Sequence, residues 1–161
     1  MQNTANMRLS VLLFFALVLL GCDTAKKQDD FIDEASLPPS GYASTTTEGI
    51  IISDDKDDWR TAPIYAGKIR IDPIYPNPSA GQFVNLPVTV LEFSAVQGGL
   101  VLRADDGNGN LRLLDEILNA VQPGAYTFRF SPAIIGRTGL IRLLLFDRLG
   151  ELVSYGDLQI G

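Results

Sequence analysis

The side chains that could do chemistry in this chain are almost all carboxylates. Histidine is absent from the 161 residues, and Cys22 is the one cysteine. The commonest general base and the commonest metal ligand are therefore missing together. Acids come in close pairs at Asp105/Asp106 and Asp115/Glu116, with a denser run at Asp54-Asp55-Lys56-Asp57-Asp58. Two carboxylates can divide general acid and base work between them, provided they converge in a pocket. These pairs lie in or beside stretches that read as turns, which places them on the surface. The Asp105–Asn110 stretch also invites a calcium reading. A loop of that type begun at Asp106 sets Asn108 and Asn110 correctly, but Leu111 stands where glycine is needed and Ile117 where the bidentate glutamate is needed. A hairpin turn accounts for these residues, and no metal or other cofactor is expected. The chain has no Gly-x-Ser-x-Gly, P-loop or dinucleotide fingerprint. Catalysis is not expected.

Cys22 takes its meaning from what precedes it. Arg8 supplies one positive charge, Leu9–Leu20 is apolar throughout except Ser10, and Gly21 is small. That is the grammar of a signal peptide, and the run is shorter than the roughly 20 residues needed to span a bilayer. Met7 stands beside Arg8, so either Met1 or Met7 can serve as the start. Leu19-Leu20-Gly21-Cys22 resembles the lipobox of bacterial lipoproteins. The resemblance implies lipidation of Cys22, cleavage before it, and recognition of Leu19, Leu20 and Gly21 by lipoprotein signal peptidase. A single acyl chain binds a membrane weakly and two or more hold stably. The resemblance thus predicts a permanent partner, the membrane, in a bacterial cell envelope and most simply at the outer membrane. A lipidated Cys22 would leave no thiol for a disulfide framework.

The mature chain would hold 140 residues, enough for one domain with a core. Its charge is uneven. Residues 23–58 carry ten acids and three bases, whereas residues 59–161 carry nine of each. Neither part is basic, so nucleic-acid binding has no electrostatic footprint. The expected organisation is a signal peptide over 1–21, a lipidated cysteine with an acidic flexible tether over 22–58, and a folded domain over 59–161. Polar and proline-rich composition predicts disorder for the tether, with a reach on the order of 35 Å. One interruption is Ile50-Ile51-Ile52, read as a strand that adds to the domain's edge.

From Trp59 the pattern becomes short apolar runs separated by turn residues. Ile69 and Ile71 alternate with Lys68 and Arg70. Val84, Leu86, Val88 and Val90 alternate with Asn85, Pro87 and Thr89, and Pro87 predicts an edge strand. Leu100–Leu114 and Leu140–Tyr155 read as two hairpins, each turning through an Asp and a glycine-containing segment. Tyr126, Phe128 and Phe130 mark a half-buried strand. Leu140–Phe146 is apolar on both faces except Arg142, as a central strand would be. Asp115–Val121 is the one helical candidate. The expected fold class is all-β, an antiparallel Ig-like β-sandwich of about seven strands.

The most distinctive turn is Tyr75-Pro76-Asn77-Pro78-Ser79-Ala80-Gly81, where two prolines and a glycine fix the chain before the next strand. It resembles the Tyr-Pro-Asn-Pro opening of the C-terminal β-sandwich domains that direct cargo to the type IX secretion system. Leu102–Gly109 resembles that family's Asp-and-Gly hairpin, and Val121–Arg129 its Tyr-bearing strand. The resemblance covers roughly 69–130 and implies a β-sandwich and a related bacterial origin. The expected function is a lipid-anchored, non-catalytic envelope protein whose sandwich binds or assembles with a protein partner yet to be identified. The alternatives are cargo or a sorting domain of a type IX-like system, and a carboxylate-dependent hydrolase of unrecognised type.

Overall fold

The computed structural model describes residues 24–161. Leu19, Leu20, Gly21, Cys22 and the expected signal peptide lie outside the described residues. Helix α1 spans residues 24–35. The strands are β1 (Ser44–Thr45), β2 (Ile51–Ser53), β3 (Arg60–Thr61), β4 (Ile69–Ile71), β5 (Val84–Val90), β6 (Gly99–Asp105), β7 (Leu111–Leu118), β8 (Gly124–Phe130), β9 (Gly139–Asp147) and β10 (Leu152–Ile160). The fold is all-β and sandwich-like, as expected, with one α-helix among the described residues. A five-stranded sheet in the order β3-β10-β9-β6-β7 faces a three-stranded sheet in the order β4-β5-β8, and β1-β2 form a separate hairpin. All the strand pairings within these sheets are antiparallel.

Period-two patterning places the core. On β5, Val84, Leu86, Val88 and Val90 are buried while the residues between them are not. They pair across to Phe130, Phe128, Tyr126 and Gly124 of β8. On β9, Ile141, Leu143 and Leu145 are fully buried, and Leu158 of β10 pairs with Ile141. These two faces close on one another, because an apolar sheet face is stable only when another layer covers it. Arg142 sits on the opposite face of β9 and is buried as well, so β9 is covered on both sides.

Several expectations are corrected. Pro87 lies in β5, the middle strand of its sheet, not in an edge strand. Its carbonyl accepts the Asp72 N–H at 3.1 Å, so its ring nitrogen faces the β4 side just past the last β4 pair, Ile71 with Val88. No ladder donor is needed at that point. Asp115–Val121 is not helical; most of it belongs to β7, whose pairing with β6 shifts register between Leu102 and Arg103. The shift leaves Leu114 as an extra residue, breaking the alternation that would have marked the strand. The second strand of the hairpin expected to end at Tyr155 runs on through Gly156 to Ile160. A Cβ at Gly156 would stand 2.3 Å from the Trp59 ring, so glycine lets the indole lie against the strand.

The flexible tether is also corrected from residue 24 onward. α1 needs only a stripe of apolar contact, and Phe31 and Ala35 provide it, one turn apart and both buried. Its ring contact is with Tyr155, 5.0 Å between centroids. Ser36 closes the helix by donating its backbone N–H to the Ile32 carbonyl, and Pro38-Pro39 prevent its continuation. Ile51 and Ile52 do form a strand, but it pairs with β1, which in turn joins the body through Thr45 and Asn77. Ile50, Ile51 and Ile52 stay exposed. Among the described residues, no helix is long and apolar enough to cross a membrane.

Candidate functional site

The charged side chains that converge are not the two acid pairs named above: Asp58, from the Asp54–Asp58 run, meets Arg142 and three groups that the sequence did not single out, Glu34, Arg60 and Asp157. A hollow of about 460 Å³ lies below the C-terminal end of α1, lined by Glu34, Asp58, Arg60, Arg142, Tyr155 and Asp157 among others. Hairpin register brings Arg142 and Asp157 together, since they are paired residues of β9 and β10. The guanidinium grips the carboxylate through two bonds, Nε to Oδ1 at 2.5 Å and Nη2 to Oδ2 at 3.2 Å. Both side chains are about 94% buried. Arg142 Nη1 also donates to the carbonyls of Glu34 and Ala35, at 3.3 and 3.1 Å. Those are last-turn carbonyls with no partner inside the helix, where a cation is electrostatically favoured. The Arg142 guanidinium lies 4.7 Å from the Tyr155 ring centroid. One arginine therefore ties α1 to the sheet and neutralises a buried acid.

Around it, Arg60 pairs with Glu34 and donates to the Tyr155 hydroxyl, which itself donates to Glu34 at 3.1 Å. The Arg60 hydrogen bond holds the Glu34 carboxyl below the usual range. Asp58 occupies the edge of β10, where β3 has ended. Its Oδ1 accepts the Asp157 N–H at 2.7 Å and its Oδ2 accepts the Ala43 N–H at 3.0 Å. Burial pushes the Asp58 carboxyl up to about 7, outweighing both of those donors, with the Asp157 and Asp55 charges adding to the rise. An acid with that pKa in a hollow has the look of a catalytic group. Its bonding does not: both oxygens of Asp58 and both of Asp157 are engaged by donors of the protein itself. The cluster fastens α1, the 37–58 segment and β10 together.

The Tyr75–Gly81 turn runs farther along the same edge of β10. Tyr75 exchanges backbone hydrogen bonds with Asn85, at 2.9 and 2.7 Å. Pro76 is buried and Pro78 exposed, and the peptide bonds before both are cis. Asn77 is fully buried; its amide nitrogen donates to the Asp157 carbonyl at 3.0 Å and its amide oxygen accepts the Gln159 N–H at 3.0 Å. A side-chain amide thus takes the place of a neighbouring strand's peptide group. Ser79 continues by donating to the Gln159 carbonyl and accepting from Gly161, at 2.8 and 3.0 Å. Gly81 adopts φ +100°, which glycine takes without strain. The motif is a clasp on the last strand. Replacing Asn77 by alanine leaves one buried donor and one acceptor without partners, and is expected to cost about 2–3 kcal/mol in urea unfolding. An unchanged midpoint would show that water serves this edge equally well.

The acid pairs singled out from sequence are dispersed. Asp105 accepts the Gly107 N–H at 2.7 Å, and Asp106 accepts those of Asn108 and Asn110 at 2.8 and 3.2 Å. These are turn-closing bonds. Asp115 accepts the Arg129 N–H at 2.8 Å, and Glu116 pairs with Arg148 at 3.0 Å. Among the described residues, no group of three His, Cys, Asp or Glu side chains is arranged to hold a metal ion. The signal for the real cluster was present but faint: an arginine inside an apolar strand, with an acid at the opposing register of the next strand. No protein-family model matches this chain, and neither a curated protein nor a solved structure shows significant similarity to it.

Proposed function

We propose that this chain is a lipid-anchored, non-catalytic protein of the bacterial cell envelope, held at the outer membrane through Cys22, whose sandwich binds or assembles with a protein partner. The observation that carries the reading is the apolar run Leu9–Leu20 closing on Leu19-Leu20-Gly21-Cys22. The engagement of Asp58 and Asp157 by structural donors supports a non-catalytic domain. The open side of β2, with three exposed isoleucines, supports capture of an extended segment by strand addition. The sorting-domain alternative has the clasp motif in its favour. Residues after Phe130, however, supply β9 and β10 at the heart of the larger sheet, which makes them part of one domain rather than an appendage to a sorting signal.

Labelled palmitate is expected to enter the wild-type chain and not Cys22→Ala, and the variant is expected to leave the membrane fraction. Label in the variant, or none in the wild type, would end the lipoprotein reading. Loss of a type IX machinery is expected to leave the protein's location unchanged; retention in the periplasm would favour the sorting alternative instead.

A further inference from the structure

We infer that the end of the sandwich carrying Leu91, Phe93, Leu118 and Leu149 lies against the lipid bilayer, so that the domain is docked on the membrane rather than suspended from it. This rests on the proposed anchor at Cys22. The four side chains are 48%, 76%, 56% and 75% exposed. All four belong to one end of the fold, where β5 and β7 finish and β9 turns into β10. Hydrogen bonds join the loops of that end: Leu91 N–H to the Lys68 carbonyl at 2.8 Å, Ser94 N–H to Val121 at 2.9 Å, and Arg148 N–H to Gln97 at 3.2 Å. The apolar tips therefore stand on a braced platform.

The position of α1 says what this end faces. Glu34 and Ala35 meet Arg60 and Arg142 near the middle of the sheet. Six residues earlier, Gln28 accepts the Ile64 N–H at 3.5 Å, and Lys68 Nζ donates to the Ile64 carbonyl at 3.1 Å. The N-terminal half of α1 thus points to the Leu91–Phe93 end. At about 1.5 Å per residue, residue 24 lies roughly 6 Å beyond Gln28. Two further residues lead to Cys22 and span at most about 7 Å. Acyl chains on Cys22 would have to enter the bilayer within some tens of ångströms of Phe93, with no tether to hold the domain away. Exposed apolar tips at a lipid boundary bury area that would otherwise face water, and they add a second attachment to the acyl chains.

The test uses the full lipidated chain, in which a Cys22 thioether leaves Phe93→Cys as the one free thiol. A polarity-sensitive fluorophore is placed there, and in a parallel protein at Ile134→Cys, which is 44% exposed at the opposite end. On phosphatidylethanolamine–phosphatidylglycerol vesicles, the position-93 label is expected to shift to the blue and to be quenched several-fold more than the position-134 label by spin-labelled lipid. Protein that floats with the vesicles but shows equal, weak quenching at both positions would overturn the docking while leaving the anchor intact. A concentration-dependent blue shift without lipid quenching would mean that a second copy covers this end, and would also overturn it. Failure to float at all would remove the anchor and the docking together.

Discussion

Arg142→Ala is expected to lower the unfolding free energy by about 3–5 kcal/mol, the usual result of stripping one partner from a buried ion pair. The guanidinium makes four hydrogen bonds, two to Asp157 and two to the final carbonyls of α1. Alanine leaves the Asp157 carboxylate buried with only the Ser40 N–H at 3.1 Å, and leaves the helix end without its cation. Arg142→Met combined with Asp157→Leu removes both charges and keeps the volume, so most of the loss is expected to return. A single-variant urea midpoint close to wild type would show that the pair adds no stability. Equal losses in the single and double variants would show that the arginine acts through α1 alone.

The second large effect is a dependence of stability on pH that runs opposite to acid denaturation. Asp58 in the folded chain keeps its proton up to about pH 7, whereas its ordinary value is 3.8. Between those values the folded state binds the extra proton, so stability falls as pH rises through that interval and levels off above it. A shift of about three units corresponds to about 4 kcal/mol across the window. Glu34 works the other way: its lowered value contributes stability above its ordinary range that is lost as the solution becomes more acid. Maximum stability is therefore expected in weak acid. Asp58→Asn keeps one acceptor oxygen but turns an NH₂ group toward a backbone donor, so it is expected to be less stable overall. The decisive readout is the slope: between pH 4 and 7 the variant's unfolding free energy should be nearly flat. A slope equal to wild type would assign the titration to another group.

Both effects involve contacts that residues 24–58 make with the sandwich. Docking by Phe31, Ala35, Glu34 and Asp58 replaces an expected reach of about 35 Å with direct attachment to the domain. The consequence for function is positional. With the anchor proposed at Cys22, this docking would present the β1-β2 hairpin at a fixed height and angle, favouring partners lying in or beside the same membrane.

Much of the fold was written into local pattern. Alternation at Val84–Val90 and Tyr126–Phe130, and the two turn-linked hairpins, declare themselves because a strand's side chains change face at every residue. The proposed address is equally local, since Leu9–Cys22 is read by its own composition. What sequence could not reveal depends on neighbours remote in the chain. Pro87 is tolerated in a middle strand because β4 ends opposite it, and Leu114 hides its strand because β6 sets a bulge. Residues 24–58 look disordered because their charges dominate the composition, yet Glu34 and Asp58 find donors on Arg60 and on the edge of β10, more than 20 residues from the one and about 100 from the other. Asn77 reads as a turn residue until the last strand is laid beside it. Composition and period decided which segments are strands, and they carry the proposed address. Only the folded chain decided which charges are buried, because that depends on partners that the backbone brings together from opposite ends of the sequence.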